Sequence, residues 1–141
     1  MKEVGAVIGG EGNGGVIYPA SHYGRDALVG VALFLTHLAK SGKKVSELRA
    51  EYPNYYISKN KIELTPQIDV EGVLCVIKGC YKQFKVTDID GVKIDFPQGW
   101  VHLRKSNTEP IIRVYSEAPT REQADRFASA IIDEIKRIAR I

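Results

Sequence analysis

The segment Arg104–Pro110, with the sequence RKSNTEP, decides the fold of this chain because it stands between two strand-like stretches. Gly99–Arg104 (GWVHLR) alternates apolar and polar residues, and Ile111–Ser116 (IIRVYS) is rich in β-branched and aromatic residues. This pattern predicts two neighbouring strands joined by a short polar loop. Arg104 and Arg113 would then lie at the two ends of one connection.

The residue types in this loop suit a phosphate group. Two guanidinium groups offer bidentate hydrogen bonding, and Ser106 and Thr108 offer hydroxyl donors. A turn through Asn107 can direct successive backbone N–H groups into one concavity. The alternative is an ordinary polar hairpin whose arginines are solvated or paired with Glu109 or Glu117.

The run from Arg104 to Arg113, RKSNTEPIIR, resembles the phosphate-binding loop of the α-D-phosphohexomutases. This family comprises phosphoglucomutase, phosphomannomutase and phosphoglucosamine mutase, and its loop reads R-P-S-G/N-T-E-P-x-x-R. Lys105 replaces the proline of that pattern, which adds charge and backbone freedom. The resemblance implies that the phosphate that is not being transferred is held by Arg104, Ser106, Asn107, Thr108 and Arg113.

A glycine-rich stretch, Gly10–Gly15 (GEGNGG), follows an apolar run, Val4–Gly9, which we expect to form a short buried strand. The stretch satisfies G-x-G-x-x-G, but a dinucleotide site needs a helix opening at the third glycine, whereas Val16–Pro19 has an extended pattern. The same residues partly match G-E-x-S-G-H, the sugar-binding loop of the phosphohexomutases. The resemblance implies that Glu11 and Asn13 bind sugar hydroxyls.

Composition sets wider limits on the class of protein. The chain has 141 residues, 44% of them hydrophobic, which is enough for an ordinary domain with a packed core. Its net charge of +3 suits anionic small molecules and does not by itself indicate nucleic acid. Cys75 and Cys80 lack metal-ligand spacing, so we expect reduced, partly buried thiols. No secretory signal or bilayer-spanning segment is apparent, and we expect a cytoplasmic protein without membrane or nucleic-acid partners.

The periodicity of the chain predicts an α+β fold in two parts. Residues 1–44 are expected to supply a strand, the glycine-rich loop and an apolar helix at about 24–41 that ends at Gly42. Residues 45–141 are expected to form an antiparallel sheet of about four strands with two main helices on one face. The other predicted elements are a short helix at 45–51, strands at 55–64, 84–89 and 92–96, and helices at 67–81, capped by Thr65, and from Thr120 onward.

The family resemblance also implies an activity for a longer parent protein. Residues 1–44 would end the preceding α/β domain of a mutase, and residues 45–141 would be its C-terminal phosphate-binding domain. The family are isomerases that interconvert hexose 1-phosphate and hexose 6-phosphate through a bisphosphorylated intermediate, with Mg²⁺ and a hexose 1,6-bisphosphate as cofactors. The expected partners are a phosphorylated hexose and the missing N-terminal mutase domains.

Two family segments do not occur in this sequence: the phosphoserine motif T/S-A-S-H-N-P and the metal loop D-x-D-G-D-R. Asp88–Gly91 (DIDG) echoes the metal loop, but it is predicted to be a hairpin turn. We therefore expect no catalytic residue and no metal site in this chain, and an inactive isolated fragment.

Other interpretations stay open at the level of sequence. The chain could be a stand-alone anion-binding module, or an RNA-binding α+β domain in which Trp100, His102 and Tyr115 stack on bases. The sequence does not determine whether the hexose is glucose, mannose or glucosamine. It also does not determine whether His22 contacts substrate. Residues 1–44 combine a lone strand with a broadly apolar helix, so we expect that this part of the isolated chain either frays or packs against a neighbouring copy. The weaker alternative is that the helix at 24–41 folds back onto its own C-terminal domain.

Overall fold

The structure is a computed structural model that describes residues 1–11, 14–64, 68–106 and 109–140. The chain divides into two compact units, Met1–Tyr52 and Pro53–Ile141. In the described part of the chain, no helix is both long enough and apolar enough to cross a membrane.

The first unit consists of a small ribbon and two helices. Its elements are β1 (Gly9–Gly10), β2 (Val16–Ile17), α1 (Ala27–Ser41) and α2 (Val45–Glu51). Asp26 caps α1, because its Oδ1 accepts a hydrogen bond from the Val29 N–H at 3.0 Å. Gly42, with φ +64°, ends the helix as predicted. None of the described residues of α1 is buried.

The prediction of a buried strand over Val4–Gly9 is wrong. Only Gly9 of that range lies in a strand, and Val4 and Val7 are 80% and 78% exposed. An apolar run becomes a buried strand only when neighbouring strands pair with it and other elements cover it. Among the described residues, the two-residue β2 is the only strand that pairs with β1.

The second unit is a five-stranded antiparallel sheet with two helices packed on one face. Its elements are β3 (Tyr56–Glu63), α3 (Val70–Cys80), β4 (Lys85–Thr87), β5 (Val92–Phe96), β6 (Gly99–Lys105), β7 (Ile111–Ala118) and α4 (Arg121–Ala139). The strand order is β3-β7-β6-β5-β4. The predicted α+β class is confirmed, and the sheet has one strand more than the four expected.

Alternation along the strands places one face of the sheet in the core. The largest fully buried residues include Ile94, Val101, Leu103, Ile112 and Val114 from the sheet and Ile77, Ile131 and Ile135 from the helices. Ser116 is also fully buried, and its hydroxyl donates to the Ala124 carbonyl at 2.7 Å. This bond satisfies the buried hydroxyl and ties β7 to α4.

The helix ends and the cysteines only partly follow the sequence predictions. Thr120 caps α4 as predicted, since its Oγ1 accepts from the Gln123 N–H at 3.2 Å. Helix α3 begins later than predicted, at Val70 behind an Asp69 cap, and the expected cap at Thr65 lies outside the described residues.

The two thiols, Cys75 and Cys80, are exposed rather than partly buried.

Candidate phosphate-binding site

Arg104 on β6 and Arg113 on β7 occupy directly opposed positions in the sheet. Their chain neighbours Leu103 and Val114 are fully buried in the core. Within the second unit, both arginines therefore lie on the face of the sheet opposite α3 and α4, which is called the helix-free face below. The two side chains are 52% and 44% exposed. Like charges directly opposite each other destabilise a sheet, so an anion bound between the arginines would relieve an unfavourable contact.

Backbone hydrogen bonds fix the two ends of the loop between these arginines. The Ser106 N–H donates to the Ile111 carbonyl at 3.0 Å, and the Ile111 N–H donates to the Glu109 carbonyl at 2.8 Å. The Leu64 N–H, just beyond β3, donates to the Pro110 carbonyl at 2.9 Å. The ends of the loop are therefore continuous with three strands of the sheet.

Three of the predicted phosphate ligands lie within the described residues. Arg104 belongs to β6, Ser106 follows directly and is only 8% exposed, and Arg113 faces Arg104 across the strand pair. Asn107 and Thr108 lie outside the described residues. Their roles as ligands stay predictions.

Each arginine has an exposed carboxylate partner. Arg104 Nε lies 3.1 Å from Asp90 Oδ1, and Arg113 Nη2 lies 3.9 Å from Glu109 Oε2. Exposed pairs of this kind contribute about 0–1 kcal/mol, so a phosphate can displace the carboxylates at little cost. Glu117, the other expected partner, instead accepts a hydrogen bond from Trp100 Nε1 at 3.0 Å.

The turn between β4 and β5 presents the Asp90 carboxylate to Arg104. His102 Nε2 donates to the Asp90 carbonyl at 2.6 Å. Gly91 has φ +74° and lies so close to β6 that an added Cβ would be 2.1 Å from the Leu103 carbonyl oxygen. The sequence predicted this hairpin turn, but its contact with Arg104 depends on the pairing of β5 with β6.

The carboxylates of Asp88–Gly91, the segment similar to the metal loop, pair with basic side chains. Asp88 forms an ion pair with Lys78, which lowers the pKa of the Asp88 carboxyl, and Asp90 pairs with Arg104. In the described part of the chain, no three His, Cys, Asp or Glu side chains are grouped to hold a metal ion.

The predicted sugar-binding residue Glu11 lies in a turn of the first unit. Its N–H donates to the Gly15 carbonyl at 2.9 Å, and its carbonyl accepts from the Gly14 N–H at 3.0 Å. The Glu11 side chain is 39% exposed, and its Oε2 lies 3.5 Å from Arg25 Nη1. Asn13, the other predicted sugar ligand, lies outside the described residues.

His22 braces the start of helix α1. Its Nδ1 accepts from the Gly24 N–H at 2.9 Å, and its Nε2 lies 3.1 Å from Asp26 Oδ2. The backbone N–H of Val29 and the His22 side chain together hold the pKa of Asp26 below its ordinary value. These contacts give His22 a structural role in the helix cap.

Two models of protein families match this chain. The C-terminal domain of phosphoglucomutase/phosphomannomutase matches residues 39–134, and the alpha/beta/alpha domain III of the same proteins matches residues 1–56. The chain belongs to the phosphoglucomutase/phosphomannomutase family. The family resemblance predicted from RKSNTEPIIR is confirmed. The boundary predicted at residue 44 falls where the two matches overlap and stays a prediction.

The relatives are longer proteins of the same family. A phosphoglucomutase/phosphomannomutase of Thermococcus kodakarensis is 42% identical over 129 residues, which cover 90% of this chain and 28% of the relative. A phosphoglucosamine/phosphogalactosamine mutase of Sulfurisphaera tokodaii is 38% identical over 140 residues, covering 98% of this chain and 30% of the relative. The chain thus spans less than a third of the length of these curated relatives.

A solved structure shares the fold. The phosphoglucomutase/phosphomannomutase family protein of Burkholderia thailandensis superposes with a TM-score of 0.72 at 24% identity. The superposition covers 96% of this chain and 29% of that protein.

Proposed function

We propose that this chain is the sugar- and phosphate-docking part of a phosphohexomutase, an isomerase that interconverts hexose 1-phosphate and hexose 6-phosphate through a bisphosphorylated intermediate. The observation that carries the proposal is the opposed pair Arg104 and Arg113, at the ends of a loop that backbone bonds fix to the sheet. Membership of the family supports the reaction class.

In this proposal, the arginines neutralise the phosphate that is not being transferred. Arg104 exchanges Asp90 for one edge of the phosphate, and Arg113 exchanges Glu109 for another, so each guanidinium has an anionic partner before and after binding. Ser106 and the neighbouring Asn107 and Thr108 complete the ligand set. The bisphosphorylated intermediate must turn over between the two transfers, so the same loop receives either phosphate.

Glu11 and Asn13 are proposed to fix the sugar ring. An ionised carboxylate accepts hydrogen bonds from two neighbouring hydroxyls, and an amide both donates and accepts. Holding the ring in one orientation favours phosphoryl transfer, because the reacting groups need not find their alignment by chance.

The groups that carry out transfer are proposed to lie outside this chain. Family chemistry supplies Mg²⁺ and a phosphoserine, but the described residues offer no fitting metal ligand set, so no step through a metal is assigned to them. The isolated chain is therefore proposed to bind phosphorylated hexoses without converting them. The expected cytoplasmic location stays a prediction.

Titration of the ¹⁵N-labelled chain with glucose 1,6-bisphosphate tests this function. We expect saturable amide shifts at 104–113, and a loss of affinity of about tenfold or more for Arg104→Ala or Arg113→Ala, since charge-assisted bonds contribute about 1.5–3 kcal/mol each. Arg126→Ala on the exposed surface of α4 removes the same charge and serves as the control. Arginine variants that bind as tightly as the Arg126 variant would contradict the proposal.

Single-stranded RNA is a useful second ligand in the same titration. Trp100 and Tyr115 share the helix-free face, and Lys93 and Lys59 lie over their rings at 5.5 and 5.8 Å. Shifts of Trp100 and Tyr115 with RNA and none with the bisphosphate would favour the RNA-binding alternative.

A further inference from the structure

Lys61 continues the line of opposed cations onto a third strand. It lies on β3 directly opposite Arg113 on β7, and Arg113 lies directly opposite Arg104 on β6. Lys61, Arg113 and Arg104 are called the basic row below. The next residue after Lys61, Ile62, is buried at 4% exposure, so Lys61 points to the same helix-free face as the arginines.

Adjacent strands lie about 4.8 Å apart, so the whole basic row spans about 10 Å at the backbone. Lys61 and Arg113 both line an open recess of about 430 Å³, together with Lys59, Glu109 and Tyr115. This volume falls within the range of about 300–1,000 Å³ that is usual for small-molecule sites. An anion bound against Arg113 in this recess therefore meets Lys61 as well.

The carboxylates beside the basic row are poorly placed to neutralise it permanently. Lys61 Nζ lies 3.2 Å from Glu63 Oε1, and the arginines pair with Asp90 and Glu109. These carboxylate side chains are 79% exposed for Glu63, 60% for Asp90 and 58% for Glu109, so each can turn into water. Such pairs are weak and screened by salt, whereas the opposition of like charges is built into the strand register.

We propose that Lys61 is a third cationic ligand of the phosphate bound by Arg104 and Arg113, an inference that rests on the proposed function. The arginines offer planar forks that fix the orientation of the phosphate, and the lysine adds a mobile point charge. Lys59 is the matched comparison, because it lines the same recess from the same strand but lies opposite Tyr115 instead of Arg113. Its Nζ is 5.8 Å from the Tyr115 ring, in the neighbouring row.

Titration of the full chain with inorganic phosphate at constant ionic strength tests the role of Lys61. We expect Lys61→Gln to weaken binding about three- to tenfold, as removal of one charge-assisted contact does, while Lys61→Arg stays within about twofold of the unchanged chain. Lys59→Gln removes the same charge from the same strand and should change binding less than about twofold.

The outcomes separate this inference from the proposed function. If Lys61→Gln and Lys59→Gln weaken phosphate binding equally while Arg113→Ala still weakens it, the role of Lys61 is overturned and the proposed function is not. Unchanged binding by Arg113→Ala would overturn the proposed function itself.

A second measurement uses the unsubstituted chain and does not depend on a variant that folds. Phosphate should protect Lys61 from acetylation, measured by mass spectrometry, and should leave Lys59 as reactive as before. Equal reactivity of Lys61 with and without saturating phosphate would overturn the inference.

Discussion

Replacement of Gly91 by alanine tests how closely the β4–β5 turn must pack against β6, beside the candidate phosphate site. Gly91 has φ +74°, a conformation that costs other residues about 1–2 kcal/mol. Its added Cβ would lie 2.1 Å from the Leu103 carbonyl oxygen and 3.2 Å from Arg104 Cα. Both neighbours are backbone atoms of β6, so the turn must move away and take Asp90 with it.

The expected loss of stability combines two effects. The left-handed backbone contributes about 1–2 kcal/mol and the steric overlap about 1–3 kcal/mol, so we expect a loss of about 2–5 kcal/mol. Gly79→Ala is the control, because Gly79 lies in helix α3 and an added Cβ meets no heavy atom within 4 Å. It should stabilise the protein by about 0.5–1 kcal/mol.

Urea unfolding followed by Trp100 fluorescence measures both variants, since Trp100 is the single tryptophan and lies on β6. With a slope of about 2 kcal/mol per molar urea, the midpoint for Gly91→Ala should fall by about 1–2.5 M. An unchanged or higher midpoint would refute the argument. Equal falls for Gly91→Ala and Gly79→Ala would show that the turn is not the cause.

Further predictions concern the core, the first unit and the helix cap. Ser116→Ala should cost about 1–2 kcal/mol in thermal unfolding, because it removes the buried bond to Ala124; an unchanged midpoint would contradict this. Light scattering should show association of the full chain and a monomer for residues 53–141, because none of the described residues of α1 is buried; a monomeric full chain would refute this. Circular dichroism should show α1 losing stability as pH falls below about 3.8, the ordinary pKa of Asp26, because its depressed pKa stabilises the fold only while the carboxyl is ionised. Asp26→Asn should remove that pH dependence, and an identical acid transition in the variant would contradict the assignment.

Local sequence signals located most of the second unit because its strands have partners. GWVHLR and IIRVYS became β6 and β7, since their alternation matches a sheet with one face in the core and one exposed. The apolar run Val4–Gly9 carries a similar local signal, yet it forms almost no strand. Strand formation depends on long-range pairing, and the described residues near this run supply only the two-residue β2.

The candidate site shows the same division between local and long-range information. The loop motif alone identified Arg104 and Arg113, because both lie within one short segment. Alternation along β3 could place Lys59 and Lys61 on one face, but which of them lies opposite Arg113 depends on the strand register. A shift of one residue reverses the face of every side chain, and no local signal fixes the pairing of β3 with β7.

The exposure of the basic row explains why docking would need more than this chain. Lys61 is 61% exposed, Arg113 44% and Arg104 52%. Water and salt therefore screen the attraction of each side chain to a phosphate. The same contacts strengthen severalfold where the effective dielectric constant is lower, as it is when a site is covered. A sheet face without helices is therefore suited to weak, reversible binding that tightens when another surface covers it. That behaviour fits the proposed function, in which the bisphosphorylated intermediate turns over between the two transfers.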